Sequence, residues 1–192
     1  MLLATAPLSV VHAAEPLKIA VKPLAPVNKA DTEAVRKAIA TRFRADVRVL
    51  PSSRLPKTAY YAPRNRYRAE RLLTWLDANT DKDYAKVIGI TSRDISTTRG
   101  DVVDWGIFGL GAIDLRPCVL STFRLGGGVS QKKRRERLQK IAVHEAGHTF
   151  GLPHCPKARC MMNDARGSIK TVDAETGFCK KCVARLGGNL RP

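Results

Sequence analysis

Residues 144–154 read His144-Glu145-Ala146-Gly147-His148-Thr149-Phe150-Gly151-Leu152-Pro153-His154 and hold three of the chain's four histidines. A helix repeats every 3.6 residues, so His144 and His148 lie one turn apart on the same face. Their ring nitrogens can then reach a single Zn²⁺ at about 2.0–2.1 Å. Glu145 sits beside them, suited to hold a water on the metal rather than the metal itself. Gly151 can take the positive φ that ends a helix, which turns the chain back to present His154 as a third ligand. Three protein ligands plus one position for water is the arrangement of a catalytic zinc; a structural zinc has four protein ligands. A bare HExxH arises by chance on surface helices. The longer HExxHxxGxxH adds a turn and a third ligand at fixed offsets, and is far more specific.

Outward from this stretch, Cys155 follows the third histidine directly, and Cys160, Met162, Cys179 and Cys182 come next. The cysteines are spaced C-x4-C, eighteen residues, C-x2-C. Two close pairs separated by such a loop fit a Cys₄ zinc site with thiolates at about 2.3 Å. The whole string, HExxHxxGxxHC-x4-C-x-M followed by C-x2-C, resembles the archaemetzincin family of metzincin metallopeptidases. The likeness runs from about Leu17 to Leu186 and includes LKIAVKPL at 17–24, RVLP at 48–51, YYAPRNRY at 60–67, IGITSRDI at 88–95 and VLSTFRL at 119–125. The loop from Met162 to Cys179 is one residue shorter than the family pattern.

The resemblance implies a zinc-dependent metallopeptidase carrying two zinc ions. His144, His148 and His154 would bind the catalytic one, with Glu145 as base for attack of zinc-bound water on a peptide bond. Cys155, Cys160, Cys179 and Cys182 would hold a second, structural zinc, and Met162 would lie beneath the catalytic site. By analogy with metzincins, an extended peptide or unfolded protein segment would add to the strand Cys118–Leu125 by backbone pairing. A catalytically silent, zinc-stabilised module that binds a peptide or protein is the alternative. An intact Glu145 argues against it, since a binding module has no use for a base between zinc ligands.

At 192 residues with 44% apolar content, the chain is one domain able to bury a core. No run of eighteen apolar residues exists to span a membrane. The net charge is +17, yet the charges are spread and aromatics make up only 6%. That leaves no stacking platform, and nucleic acid is not the expected partner. A monomer is expected. The densest basic cluster, Lys132 to Arg137, falls on the first turns of the histidine helix, against the helix macrodipole.

Leu2 to Ala14 is apolar, Val11-His12-Ala13 offers a cleavage site, and charges begin at Glu15. A basic start is missing and Pro7 interrupts the apolar run, so residues 1–14 read as a truncated export signal ahead of a domain at 15–192. The expected location is secreted or periplasmic, with cytoplasmic as the alternative. Export would favour disulfides among the clustered cysteines, but their close pairing favours metal. Cys118 stands alone in an apolar run and reads as a buried small hydrophobe.

Apolar periodicity predicts strands at Leu17–Val21, Val47–Leu50, Lys86–Thr91, Ile107–Ile113 and Cys118–Leu125. Helices are predicted at Thr32–Phe43 (capped by Asp31), at Arg66–Ala78, and from Gln131 to Phe150 (capped by Ser130). Alternating strands and helices indicate a three-layer α/β domain with a twisted, mixed, mostly parallel sheet and an active-site helix. After Gly151 a loop-rich C-terminal region would need the second zinc as a staple. Asp94, Asp101 and Asp104 lack calcium-loop spacing and read as turn or cap residues.

Overall fold

The computed structural model describes residues 16–191, so the export-signal reading of residues 1–14 lies outside the described residues. In chain order come β1 (Leu17–Ala25), α1 (Lys29–Arg42), β2 (Ala45–Val49), β3 (Ser53–Arg54), β4 (Tyr60–Tyr61) and β5 (Arg66–Arg68). Next are α2 (Ala69–Ala78), β6 (Lys86–Thr91), β7 (Ile95–Arg99), β8 (Val102–Ile107), β9 (Gly109–Gly111) and β10 (Pro117–Ser121). The chain then forms α3 (Gln131–Thr149), α4 (Ile169–Ala174) and α5 (Lys180–Leu186).

The main sheet has the order β2-β1-β6-β10-β9, with β3 paired to the far end of β1. Every pairing is parallel except that of β9 with β10. Parallel strands buried on both faces need apolar residues at successive positions, and LKIAVKPLA, KVIGIT and PCVLS supply them. Side chains alternate faces. Ile19, Val21, Ile88, Ile90, Cys118 and Leu120 pack toward α1 and α3, while Ala20, Val87 and Val119 pack toward α2. Each fully buried Ile or Leu contributes roughly 1.5–3 kcal/mol relative to exposure, so these two faces set the three layers.

Several predicted boundaries shift for identifiable reasons. Asn28 rather than Asp31 caps α1, its side chain accepting from the Ala30 N–H at 2.8 Å. Asp31 instead lies buried in the first turn and pairs with Arg134 (2.5 Å) and Arg135 (3.5 Å) of α3. The second helix begins at Ala69 because Arg66–Arg68 is drawn into strand pairing with β4 and β7. That pairing belongs to a second sheet, β4-β5-β7-β8, which periodicity did not predict. Asp94 and Asp104, read as turn or cap residues, are ion-pair partners there. Arg66 reaches Asp94 at 2.7 Å and Asp104 at 2.8 Å, and Arg124 grips Asp94 at 2.7 Å. The predicted strand Ile107–Ile113 divides between β8 and β9, and β10 stops at Ser121, whose hydroxyl donates to the Arg93 carbonyl.

The start of α3 resolves the charge paradox of its basic first turns. Cations there cost roughly 0.3–1 kcal/mol against the macrodipole. Ion pairs offset that cost. Arg137 grips Asp173 through two bonds of 2.9 and 2.7 Å, and Lys133 lies 3.1 Å from the same carboxylate. Lys140 donates to the Val172 and Asp173 carbonyls and so closes the end of α4. Hydrogen bonds from Arg137 lower the Asp173 pKa to about 2. A carboxylate lowered in the folded state contributes stability above its unfolded pKa, near 3.9, and that contribution is lost as pH falls through about 2. Asp173→Asn is therefore expected to cost about 1–2 kcal/mol at pH 7. The melting-temperature gap to the parent should narrow between about pH 4 and pH 2; a gap independent of pH would refute the assignment.

Candidate metal centre and active-site cleft

Ser130 caps α3, its hydroxyl accepting from the Lys133 N–H at 3.2 Å, and the helix runs nineteen residues to Thr149. Gly151 (φ 83°) follows as the left-handed residue that ends it. The Gly151 N–H then bonds the His148 carbonyl at 2.9 Å and the Leu152 N–H bonds the Gly147 carbonyl at 3.1 Å. Lys86 donates to the Thr149 carbonyl at 2.5 Å, a cation at the helix C-terminus. The reversal returns His154 to the helix, and one ligand atom each from His144, His148 and His154 lies within 4.8 Å of the others.

The hydrogen bonds behind the rings determine what those nitrogens can do. His144 Nδ1 bonds the Met161 carbonyl at 2.6 Å and His148 Nδ1 bonds the Leu152 carbonyl at 2.7 Å. A carbonyl only accepts, so both Nδ1 atoms carry the proton and both Nε2 atoms are left as acceptors. Those two Nε2 atoms face each other at 3.2 Å. Two converging lone pairs repel unless a cation lies between them. Nitrogens about 2.05 Å from a tetrahedral Zn²⁺ stand about 3.3 Å apart, so the pair fits that ion. Burial, followed by the neighbouring His148, pushes the His144 pKa down to about 3, and burial also lowers that of His148. Both rings are thus neutral at neutral pH, as metal ligands must be.

Cys155, Cys160, Cys179 and Cys182 converge in a second cluster. Cys155 and Cys179 stand 3.8 Å apart at sulfur, and Cys160 and Cys182 stand 3.7 Å apart. A disulfide requires about 2.05 Å. A Zn–S distance of about 2.3 Å gives a tetrahedron with edges of about 3.8 Å, so these thiols fit zinc rather than disulfides. Cys179 sits at the start of α5, where the Cys182 backbone N–H lowers its thiol to about 6. Met162 is fully buried beneath the histidine helix, and a Cβ on Gly147 would lie 2.5 Å from its sulfur. The fifth cysteine, Cys118, is fully buried in β10, where burial raises its thiol well above the ordinary value.

Glu145 is 7% exposed, on the face of α3 turned toward β9. Burial raises its pKa to about 8, the Gly111 backbone N–H lowers it, and buried Glu175 raises it further. A cation held by the adjacent histidines would lower it again through opposite charge. β9 approaches this closely because of two glycines at strand spacing. A Cβ on Gly109 would lie 2.6 Å from the Glu145 side chain, and one on Gly111 would lie 2.5 Å from the Glu145 carbonyl. The glycine interruptions in the predicted strand Ile107–Ile113 thus mark the contact of sheet with helix.

The expected edge strand is corrected here. β10 lies between β6 and β9 and is buried throughout, so it has no open edge for a peptide. The open edge belongs to β9. Ala112 N–H donates to the Pro117 carbonyl and Ser121 N–H to the Phe108 carbonyl, so Phe108 and Ala112 turn their polar groups inward. By alternation, Gly109 and Gly111 turn theirs outward, over a cleft of about 470 Å³. The cleft also reaches Arg99 and Trp105 on the β7–β8 hairpin, and Asp164 and Arg166 on the loop after Met162. Sequence reasoning missed these four. The Gly100-Asp101 pair between two β-branched runs was the available hairpin signal.

Comparisons with known proteins agree with this architecture. The model of peptidase family M54 matches residues 41–187. An archaemetzincin from Halobacterium salinarum is 36% identical over 149 residues, covering 73% of this chain and 82% of that relative. One from Archaeoglobus fulgidus is 33% identical over 171 residues, covering 88% and 99%. The crystal structure of the Archaeoglobus fulgidus archaemetzincin complexed with malonate superposes with a TM-score of 0.76 at 32% identity, over 88% of this chain and 99% of that one. That of the Methanopyrus kandleri archaemetzincin gives 0.77 at 28% identity, over 92% and 97%. The chain therefore belongs to peptidase family M54, the archaemetzincins, and is a zinc metallopeptidase.

Proposed function

We propose that the chain hydrolyses peptide bonds in the cleft beneath β9, with Glu145 as the proton-carrying base. In this reading His144, His148 and His154 hold one zinc ion, and Cys155, Cys160, Cys179 and Cys182 hold a second. The observation that carries it is the convergence of imidazole acceptor nitrogens beside a buried carboxyl at the floor of an open cleft. When bound, the first ion supplies Lewis acidity and makes hydroxide available near neutral pH, while the second supplies folding free energy.

The chain's own groups do the rest. The Met161 and Leu152 carbonyls fix the tautomer and aim of His144 and His148. Glu145 accepts the proton of the attacking water at its carboxylate and passes it to the nitrogen of the departing amine. Its burial keeps bulk water from competing for that proton. An extended peptide pairs with the outward N–H and C=O of Gly109 and the outward C=O of Gly111, which holds the scissile bond above Glu145. Zinc-loaded protein is expected to cleave members of a mixed peptide library, read by mass spectrometry. N-methylation of a peptide amide that pairs with β9 should lower kcat/KM about tenfold or more. A library left intact would overturn the proposal, and indifference to every N-methyl group would remove the strand-pairing part.

A further inference from the structure

The mouth of the cleft holds more positive charge than its protein partners neutralise. Arg99, at the end of β7, lies with its guanidinium 5.4 Å from the centre of the Trp105 ring. Its Nη2 donates to Asp164 Oδ2 at 3.4 Å. Arg166 approaches the same oxygen, with Nε at 3.8 Å. The other Asp164 oxygen accepts from the Arg166 backbone N–H at 2.8 Å. One carboxylate is thus shared by two guanidinium groups, at distances longer than a good charge-assisted bond. Each guanidinium has five N–H donors. Among the described residues Asp164 is the sole charged or hydrogen-bonding side chain that pairs with either, and both line the cleft.

The arginine at the end of β5 does not share this role. Arg68 is occupied by Glu70, by the Thr98 hydroxyl and by the Val103 carbonyl. Trp105 and Asp164 bias the position of Arg99 before any ligand arrives, which reduces the ordering entropy lost on binding. Its guanidinium matches a carboxylate bidentately. Arg166, with a side chain 80% exposed, is free to close over the same group.

Resting on the peptidase reading above, we propose that Arg99 and Arg166 are specificity-determining residues selecting a substrate with a carboxylate near the scissile bond. That carboxylate comes from an Asp or Glu side chain or from a free peptide C-terminus. Trp105 and Asp164 act as positioning residues for Arg99.

The test uses peptides differing only by Glu or Gln at each of three positions on either side of the cleaved bond, as free acids and as amides. Zinc-loaded parent, Arg99→Gln, Arg99→Lys, Arg166→Gln and the Arg99→Gln/Arg166→Gln double variant are compared by kcat/KM. Affinity for the same peptides is measured by fluorescence anisotropy on zinc-loaded Glu145→Gln protein, which needs no turnover. The parent should favour the carboxylate form at one position by about tenfold or more. Arg99→Gln should abolish most of that preference, Arg166→Gln a smaller part, and Arg99→Lys should restore some of it. The carboxylate peptide should lose several-fold more kcat/KM than its neutral counterpart in each of the glutamine variants. Raising the salt from about 0.05 to 0.5 M should shrink the preference, because the site is partly exposed. A preference kept in amides identifies a side-chain carboxylate; one confined to free acids identifies the terminal carboxylate. Equal handling of every pair by parent and double variant would overturn the inference, as would equal loss for charged and neutral peptides. If the parent cuts nothing, the peptidase reading fails, and the anisotropy comparison still decides the carboxylate preference.

Discussion

Replacing Glu145 by glutamine should lower peptide kcat by about 10³-fold while leaving zinc content and melting temperature at or above the parental level. Glutamine keeps the volume of the side chain and an oxygen that can accept from the Gly111 N–H. It has no site to take a proton at neutral pH. The carboxyl it replaces is buried against β9, and burial disfavours the charged form, so a neutral amide removes a cost rather than a contact. The His144, His148 and His154 nitrogens are untouched. Steady-state kinetics, zinc analysis and thermal melts on one preparation separate these effects. Unchanged turnover would remove Glu145 from the mechanism, and turnover lost together with zinc would make its role structural.

The second large effect is expected from Cys179→Ser. The segment from His154 to Met162 touches both the histidine and the cysteine cluster. His154 precedes Cys155 directly, the Cys155 N–H donates to the Met162 carbonyl at 2.7 Å, and the Met161 carbonyl orients His144. Beyond it, α4 and α5 are six and seven residues long, too short to be stable alone. Structural zinc supplies roughly 10–16 kcal/mol in small zinc domains, comparable to the whole stability of an ordinary domain. Removing one thiolate should therefore lower the melting temperature by about 10 °C or more. It should also reduce zinc at the histidines, and activity with it, whereas Cys118→Ala should leave the zinc content unchanged. Full zinc occupancy of the histidines in Cys179→Ser protein would show that the two centres are independent.

The parts of the fold legible in sequence were those whose residues report burial or a cap. Lys86–Thr91 is a continuous apolar strand and was read to the residue. The histidine helix carried a serine cap, a helical histidine repeat and a terminal glycine, and its bounds were right to within one residue. The β7–β8 hairpin was not legible because Ser96, Thr97, Thr98 and Arg99 carry no apolar alternation, and Val102 and Val103 face outward. Strand pairing and long-range ion pairs hold it instead, and partners such as Arg66 and Asp94 lie 28 residues apart in sequence. Asn28 does not stand out as the cap in sequence because Asp31 offers the same chemistry three residues later. At the site, histidines and cysteines declare themselves by spacing. Arg99 and Trp105 share one hairpin and Asp164 and Arg166 one turn, but the two pairs meet only through tertiary structure, so no local pattern announces the group as a whole.

β9 is three residues long, and its glycines give it little tendency to pair except where α3 supports it. An exposed sheet edge ordinarily invites other chains to add strands, which is how ordered aggregates begin. Here that invitation is confined to a few outward backbone groups, with the Gly111 N–H already engaged by Glu145. The opposite edge, β2, carries an Asp46–Arg48 pair and mutes itself with charge. A net charge of +17 adds repulsion between copies of the chain. If the proposed peptide pairing holds, the same short strand would offer its backbone to a substrate while remaining a poor template for further copies of the chain.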